Sequence, residues 1–367
     1  MTAAILAALA AVAPPPPLVH AAAVQVSPVS LSVLAPRARR LTCAVDGGTP
    51  RTCARTASLR LPPGRHRITV RAVDAAGRSS AGRSVVVVVA RPAPAPVRVG
   101  AQPVGVAAVG ETVWVSNSAS GTVSRIDSRS RRVVAEVQVG GQLGSVAAAA
   151  DDVWVSVFGG GELVRIDPAR NAVAGRIAVG GRPTGIAVGP DGDIWVGNLD
   201  GYVSRVDPAS GTVRRIALPS GASMPLVARG LVWLGLQSGA VVSIDPATNG
   251  LAGAAIRVAP DVDALVDTRF GIWVSTFAGT AALVDPDRRV VARRLRLPSR
   301  GGGIALAGGS VWASAYDSGL VVRLDPRSGA VLAAVQTGSR PRESVAAGGS
   351  LWVLDQGDGT VTPIPLG

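Results

Sequence analysis

The 367-residue sequence contains no lysine, so its positive charge rests entirely on arginine. Histidine and cysteine occur twice each, and aromatic residues make up only 3% of the chain. From residue 97 onward there is neither a histidine nor a cysteine. That stretch therefore cannot run thiol chemistry or a Ser-His-Asp relay, each of which needs one of those side chains. No apolar run approaches the ~20 residues that a helix needs to cross a bilayer. Val85 to Val89 is a short valine run that suits a strand. Acidic residues are scarce at one end: residues 1–96 hold 12 arginines against Asp46 and Asp74, a balance of +10, whereas residues 97–367 balance at +3. The basic end has no aromatic residue on which a base could stack, which argues against nucleic acid as its partner. It reads either as a solvated arginine-rich surface or as a module that sits on an acidic envelope polymer.

What is present is periodic. The seven tryptophans fall at Trp114, Trp154, Trp195, Trp233, Trp273, Trp312 and Trp352, and they are all the tryptophans in the chain. A fixed period near ~40 residues marks a repeat architecture. The third copy, GRPTGIAVGPDGDIWVGNLDGYVSRVDPASGTVRRIAL, holds four short apolar runs separated by Gly-, Asp- and Pro-rich turns. Four strands with their turns fill about 40 residues, the size of one propeller blade. Tryptophan falls in the second strand of each copy, where its large side chain fills the space between blades. An aspartate recurs in the third turn as Asp127, Asp167, Asp207, Asp245, Asp285 and Asp325, and all but Asp127 precede proline. Aspartate bonds the backbone two residues on and proline presets φ, so these carboxylates read as turn chemistry.

The last copy shows only three runs, at 344–347, 351–354 and 360–364. A spare strand, VRVG at 97–100, matches the blade-ending runs VQVG and IAVG. The expectation is ring closure, with 97–100 as the outer strand of the last blade, since an open edge invites aggregation.

Upstream, residues 3–13 form a short apolar run stopped by Pro14 to Pro17, with Ala21 to Ala23 as small residues for cleavage. This reads as a signal peptide over residues 1–23, although no basic residue precedes the run. Residues 27–90 read as a small strand-rich module, and RPAPAP at 91–96 as a stiff linker. Cys43 and Cys53 flank the turn Asp46-Gly47-Gly48, which places one disulfide across a hairpin in an oxidising compartment. A secreted or cell-envelope location follows. No membrane span is expected, and a monomer is.

The string CAVDGGTPRTC, followed by LPPGRHRITVRAVDAAGRSS, resembles the bacterial immunoglobulin-like repeats of secreted proteins. The resemblance implies a bridged cysteine pair and a structural role for His66. The repeat P-x-G-I-A-V-G-x-D-G-x-[IV]-W-V…V-S-R-[IV]-D-P-x-[ST]-G resembles the seven-bladed propellers of the streptogramin B lyase (virginiamycin B lyase) family and the looser YVTN-type group. The implied fold class is all-β: a seven-bladed β-propeller over 97–367 preceded by an Ig-like β-sandwich. The lyase family opens a cyclic depsipeptide with a histidine acid and Mg²⁺, and no histidine of residues 97–367 is there to take that role.

In such a ring the loops leading into the first strands and those joining second to third strands share one mouth of the channel, and binding tends to live on such loops. The candidates there are Asn117, Phe158, Arg182, Asn198, Asp200, Gln237, Asp261, Asp263, Phe277, Tyr316, Asp317, Arg340, Arg342 and Glu343. They read as a mixed, solvated rim. Asn198, Asp200, Asp261 and Asp263 offer oxygens of the kind that Ca²⁺ or Mg²⁺ takes, but without a fixed ligand spacing. No catalytic residue, metal site or cofactor is assigned. The expected function is a binding scaffold whose ligand, a peptide, glycan or protein, sits at the channel mouth. The alternative is a metal-dependent lyase or hydrolase with a non-histidine acid/base.

Overall fold

The computed structural model describes residues 13–149 and 152–366, and these are almost entirely strand and turn. The chain divides into two compact units, one formed essentially by residues up to Arg91 and the other by residues from Pro92 onward. Most of the apolar run at 3–13 lies outside the described residues.

The first unit is built from two sheets. One orders Leu18–His20, Val29–Leu34 and Thr56–Leu59; the other orders Val24–Gln25, Arg83–Val89, Gly64–Val73, Arg40–Val45 and Arg51–Cys53. The sandwich thus takes in residues 18–20, which the sequence reading placed in the signal peptide. Along Gly64–Val73 the pattern of charged and apolar residues does what a period of two requires: His66, Ile68, Val70 and Ala72 are buried while Arg65, Arg67 and Arg71 face out. The buried side meets Val29, Leu31 and Val33 of the smaller sheet in one core. Cys43 and Cys53 form a disulfide across neighbouring strands. In a core this small a bridge closing so short a loop contributes about 3 kcal/mol through the unfolded chain's entropy. His66 is buried under Asp46, Nδ1 to Oδ2 at 2.7 Å, and its Nε2 lies 2.9 Å from the Pro62 carbonyl. Both contacts are internal to the sandwich, so His66 serves its architecture.

The second unit holds seven sheets among the described residues, formed one after another along the chain. Their first strands are Pro103–Val109, Leu143–Ala148, Pro183–Val188, Ala222–Ala228, Val262–Thr268, Gly301–Ala307 and Pro341–Ala347. Each lies against the first strand of the next sheet, and the last lies against the first, so the sheets close a circle. The closing sheet takes its fourth strand from the start of the array: Val97–Arg98 pairs antiparallel with Val361 and Thr360. This is the closure expected from the missing fourth run.

Three repeated devices hold the circle together. All seven tryptophans are buried in second strands. Arginines of the third strands lie over them at the facing register position: Arg125 on Trp114, Arg165 on Trp154, Arg205 on Trp195 and Arg323 on Trp312. Removing one such tryptophan costs about 3–5 kcal/mol. Next, second-strand serines donate across the sheet boundary: Ser116 to the Gly144 carbonyl, Ser156 to Thr184, Ser275 to Gly302 and Ser314 to Arg342, at 2.5 to 2.7 Å. Finally, each of the six repeated aspartates accepts backbone N–H groups two or three residues on, as Asp207 does from Ala209 and Ser210. Their role in the turns is what the spacing predicted.

Candidate functional site

Every first strand breaks register at its start. The pairing with the second strand skips between Pro103 and Gly105, Leu143 and Val146, Pro183 and Ile186, Ala222 and Pro225, Val262 and Ala264, Gly301 and Ile304, and Pro341 and Ser344. A bulge frees residues from the ladder and re-aims their side chains, which is why bulges gather next to sites. Here the freed residues ring a cavity of about 720 Å³. Its wall includes Val104, Gly144 and Ser145, Thr184 and Gly185, Ser223 and Met224, Asp263, and Arg342 and Glu343. Glycine is forced at several of these places because neighbouring strands crowd together. At Gly303 a Cβ would come within 2.6 Å of the Glu343 Cα. The mouth is completed by the loops the sequence pointed to, with Gln102, Gln142, Phe158, Gln237, Asp261, Phe277 and Gln356.

The charged groups are concentrated on two first strands. Asp263 comes from the fifth sheet and the Arg342–Glu343 pair from the seventh. The Arg342 guanidinium lies 3.7 Å from the Asp263 carboxylate and also over the Phe277 ring, centroid 5.6 Å away. Its Nε has no hydrogen-bond partner. Glu343 accepts the Val106 N–H at 3.2 Å. Burial pushes the Glu343 carboxyl up to about 7; Arg342 opposes the rise, while the neighbouring negative charge of Asp263 adds to it. Burial likewise raises Asp263, with Arg342 again opposing. The sequence reading of a solvated rim therefore fails for these two residues. They lie below the mouth, on the bulges, where Asp263 is only 14% exposed.

Seven of the fourteen candidates line the cavity: Phe158, Gln237, Asp261, Asp263, Phe277, Arg342 and Glu343. The other seven do not. Asn117 is buried in its sheet and donates to Thr122 and Ser124. Asn198 accepts the N–H groups of Arg182 and Asp200 and donates to the Gly180 carbonyl, so it shapes a loop. Arg182 and Asp200 pair with each other at 2.7 Å. Asp317 pairs with Arg300, which does line the cavity. Tyr316 stands behind the wall, donating to Gln356 and meeting Phe277 edge-on at 6.5 Å between centroids. Arg340 shapes the loop into the seventh sheet's first strand, with a φ of 58° and its carbonyl accepting from Gln356. Asp200, Asp261 and Asp263 do not form one group, and among the described residues no three His, Cys, Asp or Glu side chains gather as metal ligands would.

The candidates omitted Arg300, Gln356, Thr184, Ser145, Ser223 and Met224. One signal in the sequence marks most of them. When the repeats are aligned on the first residue of each first strand, the next two columns are the bulge, and those columns contain Thr184, Ser145, Ser223 and Met224 beside Asp263, Arg342 and Glu343.

Asp355 is a separate buried carboxyl. It ends the second strand of the seventh sheet, at the position that Asn117 and Asn198 hold in theirs. It accepts from Gly338 N–H and the Thr362 hydroxyl, and burial raises it to about 6.

No family model and no curated protein matches the chain. Among solved structures, the chain is similar to hydrazine synthase of Kuenenia stuttgartiensis, at 19% identity and a TM-score of 0.64, over 72% of this chain and 95% of that one. At that identity the likeness concerns the fold alone, an all-β, propeller-like arrangement of antiparallel sheets.

Proposed function

We propose that this is a secreted or cell-envelope protein in which an Ig-like sandwich precedes a seven-bladed β-propeller, and that it acts as a binding scaffold whose ligand enters the channel mouth. The observation that carries the reading is the cavity itself. Its wall is assembled from bulges that recur at the same place in every repeat, while the side chains on those bulges differ from copy to copy. A constant frame with variable lining is how a scaffold presents a site. A peptide, a glycan or a loop of a protein partner fits such a mouth. The disulfide supports an oxidising compartment. Among the described residues no helix is long and apolar enough to cross a membrane. The arginine-rich first unit would hold the protein on an acidic envelope polymer.

The test is a peptide and glycan array probed with the intact protein and with Val104→Trp, which fills the channel while leaving the frame. Binding that is lost in the filled variant at unchanged melting temperature supports the reading. Hits identical in both proteins overturn it.

One observation favours a second reading, a lyase or hydrolase with a carboxyl acid/base: Glu343 sits in a cavity with a pKa near that of a working general acid. Incubation with a streptogramin B antibiotic and Mg²⁺, followed by mass spectrometry, decides it. The scaffold reading expects no ring opening, and turnover abolished by Glu343→Gln would establish the enzyme.

A further inference from the structure

The chain carries a net charge of +13, yet acidic groups outnumber basic ones on the wall of this cavity. The ionisable groups on its wall are Asp261, Asp263, Glu343, Arg300 and Arg342. Arg300 is already paired with Asp317, its Nε and Nη2 engaged at 2.6 to 3.1 Å. Arg342 is shared between Asp263 and the face of Phe277. Asp263 and Glu343, with the exposed Asp261 at the mouth, therefore face the space against one arginine that is not paired elsewhere. A buried acid without its own cation is costly, and a ligand cation is the natural partner for the surplus. A divalent metal is a poor choice here, because no three carboxyls converge. The rest of the wall is apolar or softly polar, with Phe158, Met224, Val104 and Leu143. Ser145 is 5% exposed, and its buried hydroxyl has no hydrogen-bond partner in the protein.

We infer that the channel takes a protonated amine attached to an apolar group: the ammonium lies between Asp263 and Glu343, and the apolar part rests on Phe158 and Met224. This deepens the scaffold reading and rests on it. An ammonium has three donors and no acceptor, which suits two carboxylates and the unpartnered Ser145 hydroxyl. A carboxylate or phosphate ligand would meet like charge instead, from Asp261, Asp263 and, once ionised, Glu343. The Phe277 ring is covered by Arg342, so the free aromatic face is that of Phe158, and an aromatic or aliphatic body next to the amine buries against it.

The sequence supplies its own reporter. Met1 and Met224 are the only methionines, and Met224 lines the cavity. With ¹³C-methyl methionine incorporated, the Met224 resonance is followed while benzylamine, benzyl alcohol and benzoate are titrated separately at millimolar concentration. Benzylamine is expected to shift it with an affinity at least about tenfold above that of benzyl alcohol, as charge-assisted hydrogen bonds provide, and benzoate least of all. Because Glu343 must be ionised to contribute, the amine's affinity falls between about pH 8 and about pH 5, and Glu343→Gln flattens that dependence. Glutamine retains an oxygen for the Val106 N–H, and Asp263→Asn provides a second variant that should also cut the preference for the amine. Equal binding of amine and alcohol, or tighter binding of benzoate, overturns the cation inference while leaving a channel that binds ligands. No perturbation of Met224 by any of the three overturns the inference, whereas the scaffold reading stands or falls with the peptide and glycan array.

Discussion

The same functional group does opposite things in two parts of the ring. In the outer turns, Asp127, Asp167, Asp207 and Asp325 sit at the surface and accept backbone and side-chain hydrogen bonds, and these bonds hold their carboxyls below the usual range. In the channel, Asp263 and Glu343 have few donors, and burial raises them. A turn aspartate stabilises the fold when ionised, whereas a channel carboxyl costs stability when ionised. The difference lies in the supply of donors and not in the residue type, and groups whose pKa is raised in a cavity are where function is to be sought.

The largest expected effect comes from breaking the circle. Deleting residues 96–101 removes the strand that pairs with Thr360 and Val361. The variant should lose cooperative unfolding and tend to aggregate, as monitored by calorimetry and light scattering. Where it stays soluble, the opened channel should let Glu343 return toward an ordinary glutamate while the turn aspartates keep their low values. Unchanged melting and unchanged titration would mean that closure does not make the channel's environment.

Next is Glu343→Gln. Its folded-state pKa of about 7 lies above the unfolded value, so its charge opposes folding in the window from the unfolded pKa to the folded one, fully so above about 7. The variant should gain stability on the order of 2–3 kcal/mol at about pH 8 and almost none at about pH 4, measured by urea unfolding at both values. Asp355→Asn follows the same sign in a lower window, because its carboxyl stands at about 6. Asparagine already fills the matching positions 117 and 198, and a gain of about 1 kcal/mol at neutral pH is expected.

Gly303→Ala should cost about 1–3 kcal/mol, because its Cβ meets the Glu343 backbone with nothing flexible to yield. The smallest effect is expected at a turn. Asp207→Ala removes an acceptor from a solvated loop and should lower the melting temperature slightly at neutral pH. That difference should vanish as pH falls through the aspartate's depressed pKa, since a protonated aspartate no longer holds the turn as an anion.

Much of this was legible in the sequence, for identifiable reasons. Trp114 to Trp352 gave the repeat because packing needs a large side chain at one depth in each sheet. The Asp-Pro turns were readable because the hydrogen bonds involved are local. Closure by Val97 and Arg98 followed from counting strands. The channel was only half legible. Asp261, Asp263, Arg342 and Glu343 were found because they stand where the chain enters a first strand, a place that the turn residues before it mark in the sequence. Thr184, Ser145 and Met224 were not, because only a register shift turns them into the channel, and the two columns that mark the bulge stand out only once the first residue of each first strand is known. Asn117 and Asn198 misled because a polar residue at a strand end serves equally as ligand contact or as sheet cap; Arg182 and Asp200 misled because their mutual pairing is invisible in one dimension.

The central claim is that the ring holds a carboxyl in its channel away from water. The chain has four glutamates, Glu111, Glu136, Glu162 and Glu343, so ¹³C-carboxyl labelling of glutamate gives a spectrum simple enough to assign by single substitutions. Titrated by NMR, Glu343 should change protonation near pH 7, and Glu111, held down by Ser128 and Arg129, below the ordinary glutamate value. A Glu343 resonance that titrates at the ordinary value of about 4.3 would contradict the account.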